Sequence, residues 1–323
     1  MREWLSLALR SVSNRHRPGT RPNVFVFTTP RSGSTWLMEL IQTQPHFKQC
    51  NEPLNLRMPG IARRLGISDW ESLYQDVNWP RVRDYFRGLC EGRIRFLNPS
   101  PFSEYYRPFT SRLLAKILHG GEARMTELAE ACNARVVLLL RHPIPVSLSR
   151  EVFPRLEAFL TSDYSRHFSE EEIRFAWEIV NEGSKLEKGM LDWCLQNAVP
   201  LRQAREDWVV LSYEELVLAP EPVLSQLAER LQLEDLGLIE SSLLKPSATV
   251  RKSDAVTADF LKGPRADDAS WWLVTKWREK VGVEEERAAM RILERFGIDQ
   301  YRFGDVLPRS PVWIGEELES PPR

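Results

Sequence analysis

The sequence predicts an α/β protein with three layers: a central parallel sheet carrying helices on both faces. Three observations predict it. Apolar runs of about four to six residues alternate with longer segments whose apolar residues fall at helical spacing. Two of the runs, Val24–Phe27 and Val136–Leu140, are continuously apolar, as suits strands covered on both faces. No repeat or low-complexity tract interrupts the alternation, so one main domain is expected.

In chain order, Met1 to Arg21 places Trp4, Leu5, Leu7 and Leu9 on a short amphipathic stretch followed by Arg10, Arg15, Arg17 and Arg21. It lacks the apolar core and small-residue cleavage site of a secretory signal. It reads as an N-terminal arm over 1–22, available for partner docking, ahead of a domain over 23–307. Val24–Phe27 is a buried strand, too short for a helix of its own, and Leu37, Leu40 and Ile41 with Trp36 predict a helix over Ser34–Gln44 stopped by Pro45. The stretch 58–106 is richer in Arg, Trp and Pro and less periodic, and is read as a lid and acceptor-binding insertion. Strands are expected at Leu113–Leu118, Val136–Leu140 and Trp208–Ser212. Helices are expected at Glu122–Asn133, Val146–Phe153, Glu170–Asn197, Pro222–Leu231 and Glu284–Phe296. A second lid segment is expected over 254–272. The Pro-rich end, 308–323, reads as a surface tail.

Bulk properties exclude some functions. The 323 residues carry a formal net charge of −1 with 28% charged side chains, which gives no field to attract nucleic acid or an anionic membrane. Cys50, Cys90, Cys132 and Cys194 show no CxxC or zinc-like spacing, so they are read as reduced thiols in a cytoplasmic setting. No apolar run approaches the roughly 20 residues that span a bilayer.

The chemistry concentrates where the first strand meets the first helix. Thr28-Thr29-Pro30-Arg31-Ser32-Gly33-Ser34-Thr35 is a tight loop dense in hydroxyls, with one Gly and one cation. A loop entering a helix N-terminus offers unpaired N–H groups and partial positive charge, so an anionic oxyacid is its natural guest. Ser/Thr-rich turns also serve as ordinary N-caps, but Arg31 and Gly33 add cost without structural gain. The loop departs from the Walker A pattern: Ser34 rather than Lys follows Gly33, and the cation comes earlier as Arg31. A second strand, Val136–Leu140, runs into Arg141-His142-Pro143 with Ser149 eight residues after Arg141. Arg141 and Ser149 can converge on one phosphate. No Asp ends that strand, so no Walker B carboxylate is available and a metal-independent site is expected.

Together the two segments resemble the nucleotide-binding segments of sulfotransferases that use 3′-phosphoadenosine 5′-phosphosulfate (PAPS). The first is similar to their 5′-phosphosulfate loop in its Pro-Arg-Ser-Gly-Ser-Thr-Trp version, and the second to their 3′-phosphate segment, with His142 where the family has Asp. The resemblance implies a P-loop-like fold and a PAPS-dependent enzyme of the carbohydrate-type or bacterial small-molecule branch. It implies nucleotide contacts from Arg31, Ser32, Gly33, Ser34, Thr35 and Trp36, from Arg141 and Ser149, from Tyr213 beside the adenine, and from Arg251 and Lys252 in a late returning segment. Asn51-Glu52-Pro53-Leu54 is similar to a Glu-Pro the family carries after its first helix.

On that reading a sulfuryl group passes by in-line displacement to a hydroxyl of a sugar, lipid, phenol or polyketide acceptor, with adenosine 3′,5′-bisphosphate leaving. Positioning and charge stabilisation supply most of the catalysis. Glu52 is the first candidate base and His119 the second, three residues after Lys116 where the family spaces such a pair by two. Lys116 would hold the sulfuryl oxygens or the acceptor, or cap its strand. The tryptophans are read as core. Two alternatives stay open: a P-loop nucleotide kinase-like phosphotransferase, and a PAPS-binding homologue without catalysis.

Overall fold

The computed structural model describes residues 14–95, 102–243, 245 and 266–309, with backbone alone at 59 and 266–269. The central sheet has five parallel strands in the order β3-β5-β2-β6-β7: β2 Asn23–Thr28, β3 Phe47–Asn51, β5 Arg112–Ile117, β6 Ala134–Leu140 and β7 Val209–Ser212. This is the expected P-loop-like α/β architecture.

Alternation along each strand splits the core in two. Phe25, Phe27, Leu113, Ala115, Leu138 and Leu140 face the layer formed by helices Trp79–Cys90 and Lys185–Arg202. Val24, Val26, Leu114, Val137, Leu139 and Leu211 face helices Ser34–Gln42 and Pro220–Leu231. Trp193, wholly buried on the first face, anchors the longest helix of that layer. Because all five strands run the same way, their C-terminal ends line one edge, where ligands of open α/β sheets bind.

Several expectations change. Phe47–Asn51 is an edge strand beyond those expected, because Lys48 and Gln49 interrupt its apolar pattern. The Lys48 ammonium is nevertheless buried, satisfied by Asn14 Oδ1 at 3.1 Å and Arg107 O at 3.0 Å. The expected helix Glu170–Asn197 is two helices, Glu170–Glu182 and Lys185–Arg202. Gly183 is extended, and Ser184 starts the second helix with a capping box to Glu187, so a new N-terminus competes successfully with continuation. The expected helix Val146–Phe153 runs instead from Pro143 to Leu148. Ser149 caps it, and the Arg150 side chain pairs with buried Asp192.

The stretch 58–106 is not uniformly irregular. Within it, helix Trp79–Cys90 buries Val82, Tyr85, Phe86 and Leu89 as part of the core layer. A small two-stranded parallel pair joins Arg15–His16 (β1) to Phe109–Thr110 (β4), so the end of the N-terminal arm is tied to the domain. His16 is buried there, bonded to Thr110 Oγ1 at 3.0 Å and Cys90 O at 3.1 Å. Of the second lid segment, 254–265 lies outside the described residues, and its remainder opens helix Ala266–Thr275. The tail from 310 onward also lies outside them. All four cysteines are free and buried. Among the described residues, no helix is long and apolar enough to cross a membrane.

Candidate active site

Each candidate residue among those described, apart from Ser149, lies at or just past the C-terminal end of a sheet strand. The Thr29–Trp36 loop follows β2, Glu52 follows β3, Lys116 and His119 close β5, Arg141 follows β6, and Tyr213 follows β7. One pocket of about 300 Å³ is lined by Arg31, Gly33, Ser34, Thr35 and Trp36 of the loop together with Glu52, Lys116 and His119.

The loop is shaped for an oxyanion. Arg31 and Gly33 both take left-handed backbone, with φ of 75° and 82°. That costs Arg31 energy a glycine would not. Gly33 is also the N-cap of helix Ser34–Gln42, and no side chain caps that helix, so its positive end faces the pocket without a side-chain acceptor. Only Gly fits at 33: a Cβ there would stand 2.4 Å from Tyr213 Cδ2. Ser32 is wholly buried, and its hydroxyl is bonded to that of Thr29, so its side chain braces the loop from inside.

Arg141 joins the loop from the next strand. Its Nη1 donates to Arg31 O at 2.9 Å, its guanidinium lies 4.3 Å from the Tyr213 ring centre, and its own carbonyl accepts from Trp193 Nε1 at 3.1 Å. Arg141 Nε is buried without a partner among the described residues, a donor poised for an acceptor that those residues do not supply. Tyr213 in turn meets Trp36 edge to face at 6.0 Å, making an aromatic wall beside the loop. Ser149 is the exposed C-cap of the short helix that follows Arg141, with its hydroxyl donating to Val146 O at 2.8 Å. Arg251 and Lys252 lie outside the described residues.

On the other side of the pocket, the Lys116 ammonium donates to Thr35 Oγ1 at 3.3 Å and lies 3.3 Å from Glu52 Oε1. Burial lowers the Lys116 pKa, and Glu52 opposes that shift. Glu52 has a left-handed φ of 52°, its N–H donates to Lys116 O at 2.9 Å, and its second oxygen accepts from Asn55 Nδ2 at 2.8 Å. His119 packs against Trp70 at 4.9 Å between ring centres. Burial first, then the cations Arg155, Arg150, Arg57 and Lys116, push its pKa down to about 2, so the imidazole is neutral at any working pH.

His142 takes no part in the pocket. It is wholly buried and stacked 4.6 Å from Trp277, and its backbone N–H donates to Glu214 Oε1 at 2.9 Å. The pocket also holds residues that were not singled out from the sequence: Asn55, Arg57 and Arg150. Asn55, three residues past Glu52, sits where a turn places a bonding partner. Arg150 directly follows Ser149 in the sequence. Arg57 carried no local signal.

A family model described as "Sulfotransferase family" matches residues 22–236, well over half of the chain, and the chain belongs to that family. No curated protein matches it. Among solved structures, the sulfotransferase domain from the curacin biosynthetic pathway is 19% identical with a TM-score of 0.44, covering 86% of this chain and 99% of that one. The sulfotransferase domain of the Synechococcus PCC 7002 olefin synthase is 19% identical with a TM-score of 0.43, covering 88% and 97%. Mouse sulfotransferase SULT7A1 complexed with PAP is 14% identical with a TM-score of 0.40, covering 90% and 87%.

Proposed function

We propose that this sulfotransferase takes its sulfuryl group from PAPS and passes it to an acceptor hydroxyl, with Glu52 as general base. The observation that carries the reading is the pairing of two anion-seeking elements on adjacent strands. An uncapped helix start with Arg31 beside it adjoins Arg141, whose Nη1 bonds the loop and whose Nε has no partner among the described residues. A nucleotide with a charged group at each end of its ribose suits two such elements better than one phosphate chain does. The Tyr213–Trp36 pair offers an aromatic ring beside the loop for the base to pack on.

PAPS, when bound, supplies an activated sulfuryl group on a bisphosphate leaving group. The chain's own residues do the rest. The start of helix Ser34–Gln42 and the Arg31 guanidinium hold the phosphosulfate end and offset charge growing on the bridging oxygen. Arg141 selects the 3′-phosphate. Lys116 bridges the loop hydroxyl of Thr35 and the carboxylate of Glu52, so it senses both ends of the reaction. Glu52 takes the acceptor proton as the acceptor oxygen bonds to sulfur and the sulfur–oxygen bond to the bisphosphate breaks. Such a base contributes roughly 10²–10⁴ in rate. His119 walls the pocket as a neutral ring.

Incubation with sulfur-labelled PAPS and a mixed set of sugar, phenol and aliphatic hydroxyl acceptors tests this. Label transfer with stoichiometric release of adenosine 3′,5′-bisphosphate is the expected result. Label retained wholly on the donor, with hydrolysis of Mg·ATP in its place, would overturn it.

A further inference from the structure

The pocket's cations exceed what its own carboxylates balance. Arg31, Arg57, Lys116 and Arg150 line it, and Glu52 is the one carboxylate among its described lining residues. Lys116 is matched by Glu52 at 3.3 Å, and Arg150 by the buried carboxylate of Asp192. Arg31 sits on the loop at the helix start and serves the donor. Arg57 is left over: it is exposed, and no carboxylate among the described residues pairs with it.

Arg57 is also held in place. Its loop is pinned by buried Leu54 and Leu56 and by a ladder of short-range bonds: Asn55 N–H to Glu52 O at 3.1 Å, Arg57 N–H to Asn55 Oδ1 at 3.2 Å, and Met58 N–H to Asn55 O at 2.9 Å. Glu52 and Arg57 therefore ride on one braced turn, a carboxylate and a cation at a set spacing on the same wall of the pocket. The positive field reaches inward as well: Arg155, Arg150, Arg57 and Lys116 are the charges acting most strongly on the ring of His119.

We infer that the acceptor carries an anionic oxyacid group, carboxylate or phosphate, near its reacting hydroxyl, and that Arg57 receives that group while Glu52 faces the hydroxyl. This deepens the PAPS reading and rests on it. A neutral acceptor would leave the Arg57 charge answered by solvent alone. An anionic one gains a charge-assisted hydrogen bond whose geometry also orients the hydroxyl toward Glu52.

The test is calorimetric titration of the protein saturated with adenosine 3′,5′-bisphosphate, using matched pairs. The pairs are glucuronate against glucose, glucose phosphate against glucose, and hydroxybenzoate against hydroxybenzyl alcohol, each on wild type, Arg57→Gln and Arg57→Lys. The anionic member of at least one pair binds about tenfold or more tighter than its neutral partner. The advantage vanishes in Arg57→Gln and is partly kept in Arg57→Lys, with nucleotide affinity equal in all three proteins. Whether the carboxylate or the phosphate gains more identifies the source of the anion. No anion advantage in any pair, or one that survives Arg57→Gln, overturns the inference. So does a loss of nucleotide affinity in Arg57→Gln, which would assign Arg57 to the donor. Failure of wild type to bind the nucleotide at all is a different result: it removes the donor reading, and the inference with it.

Discussion

The Lys116 ammonium lies 3.3 Å from a carboxylate oxygen of Glu52, across a strand pair whose register sets Asn51 opposite Lys116. The pair is largely buried, with side-chain exposures of 5% and 23%, and the same ammonium reaches Thr35 of the helix-start loop. The ion pair stabilises both buried charges, so the sheet itself holds the carboxylate at the pocket.

The role of Glu52 follows from this placement. Glu52→Gln keeps the side-chain shape and an acceptor oxygen for Lys116. It should lower kcat by roughly 10²–10⁴, with the affinity for adenosine 3′,5′-bisphosphate unchanged. Steady-state kinetics beside calorimetry reads both. A kcat loss under about tenfold would mean the proton leaves by another route.

His119 should prove dispensable as a base. Its pKa is pushed to about 2 by burial and neighbouring cations, far from the operating range a general base needs. His119→Asn is expected to retain activity within about tenfold of wild type, since no proton transfer is lost. Its kcat/KM profile should have the same acid limb as wild type. Disappearance of that limb in the variant would restore His119 as a base.

Gly33→Ala tests the loop. The new methyl would meet the Tyr213 ring at 2.4 Å and would sit at φ of 82°. Strain of roughly 1–3 kcal/mol falls on the anion-binding turn. Nucleotide affinity should drop more than global stability does. Adding Tyr213→Ala relieves the clash but not the left-handed backbone, so the double variant recovers only part of the affinity. Full recovery would show that the backbone conformation is unimportant.

Glu214 makes stability depend on pH. Burial raises its pKa from 4.5 to about 7, with Arg141 and the His142 N–H opposing the shift. The folded state keeps a proton that the unfolded chain gives up, so this group's contribution to stability falls as pH rises from about 4.5 to about 7 and stays lost above that. The whole effect is of the order of 3 kcal/mol. His16 and His142 slope the other way, because burial holds them neutral with pKa values of about 4 and about 3. The informative quantity is therefore a difference. Denaturant midpoints of Glu214→Gln minus wild type should grow across that window. A difference that is flat with pH would contradict the assignment.

Much of this was legible locally. The strand–loop–helix around Arg31 and the strand ending in Arg141 are continuous in sequence, so apolar runs and turn chemistry located both. The breaks came where distant contacts decide. Lys48 and Gln49 disguise β3 because the partners that satisfy Lys48, Asn14 and Arg107, are far along the chain. Gly183 and Ser184 divide one apolar periodicity into two helices by offering a better cap than continuation. The strand order β3-β5-β2-β6-β7 that gathers Glu52, Lys116 and Arg141 at one edge is a property of the assembled sheet. Arg57 belongs to the pocket only because buried Leu54 and Leu56 fold its turn onto that edge.

The measurement that bears most directly on the central claim is calorimetric titration of wild type and Arg141→Ala with adenosine 3′,5′-bisphosphate, with 5′-AMP and Mg·ATP in parallel. The account predicts metal-independent binding of the bisphosphate that is well ahead of 5′-AMP. It also predicts that Arg141→Ala erases this preference, a loss of about tenfold or more for one charge-assisted contact. Equal affinity for 5′-AMP, or tighter binding of Mg·ATP, would contradict it.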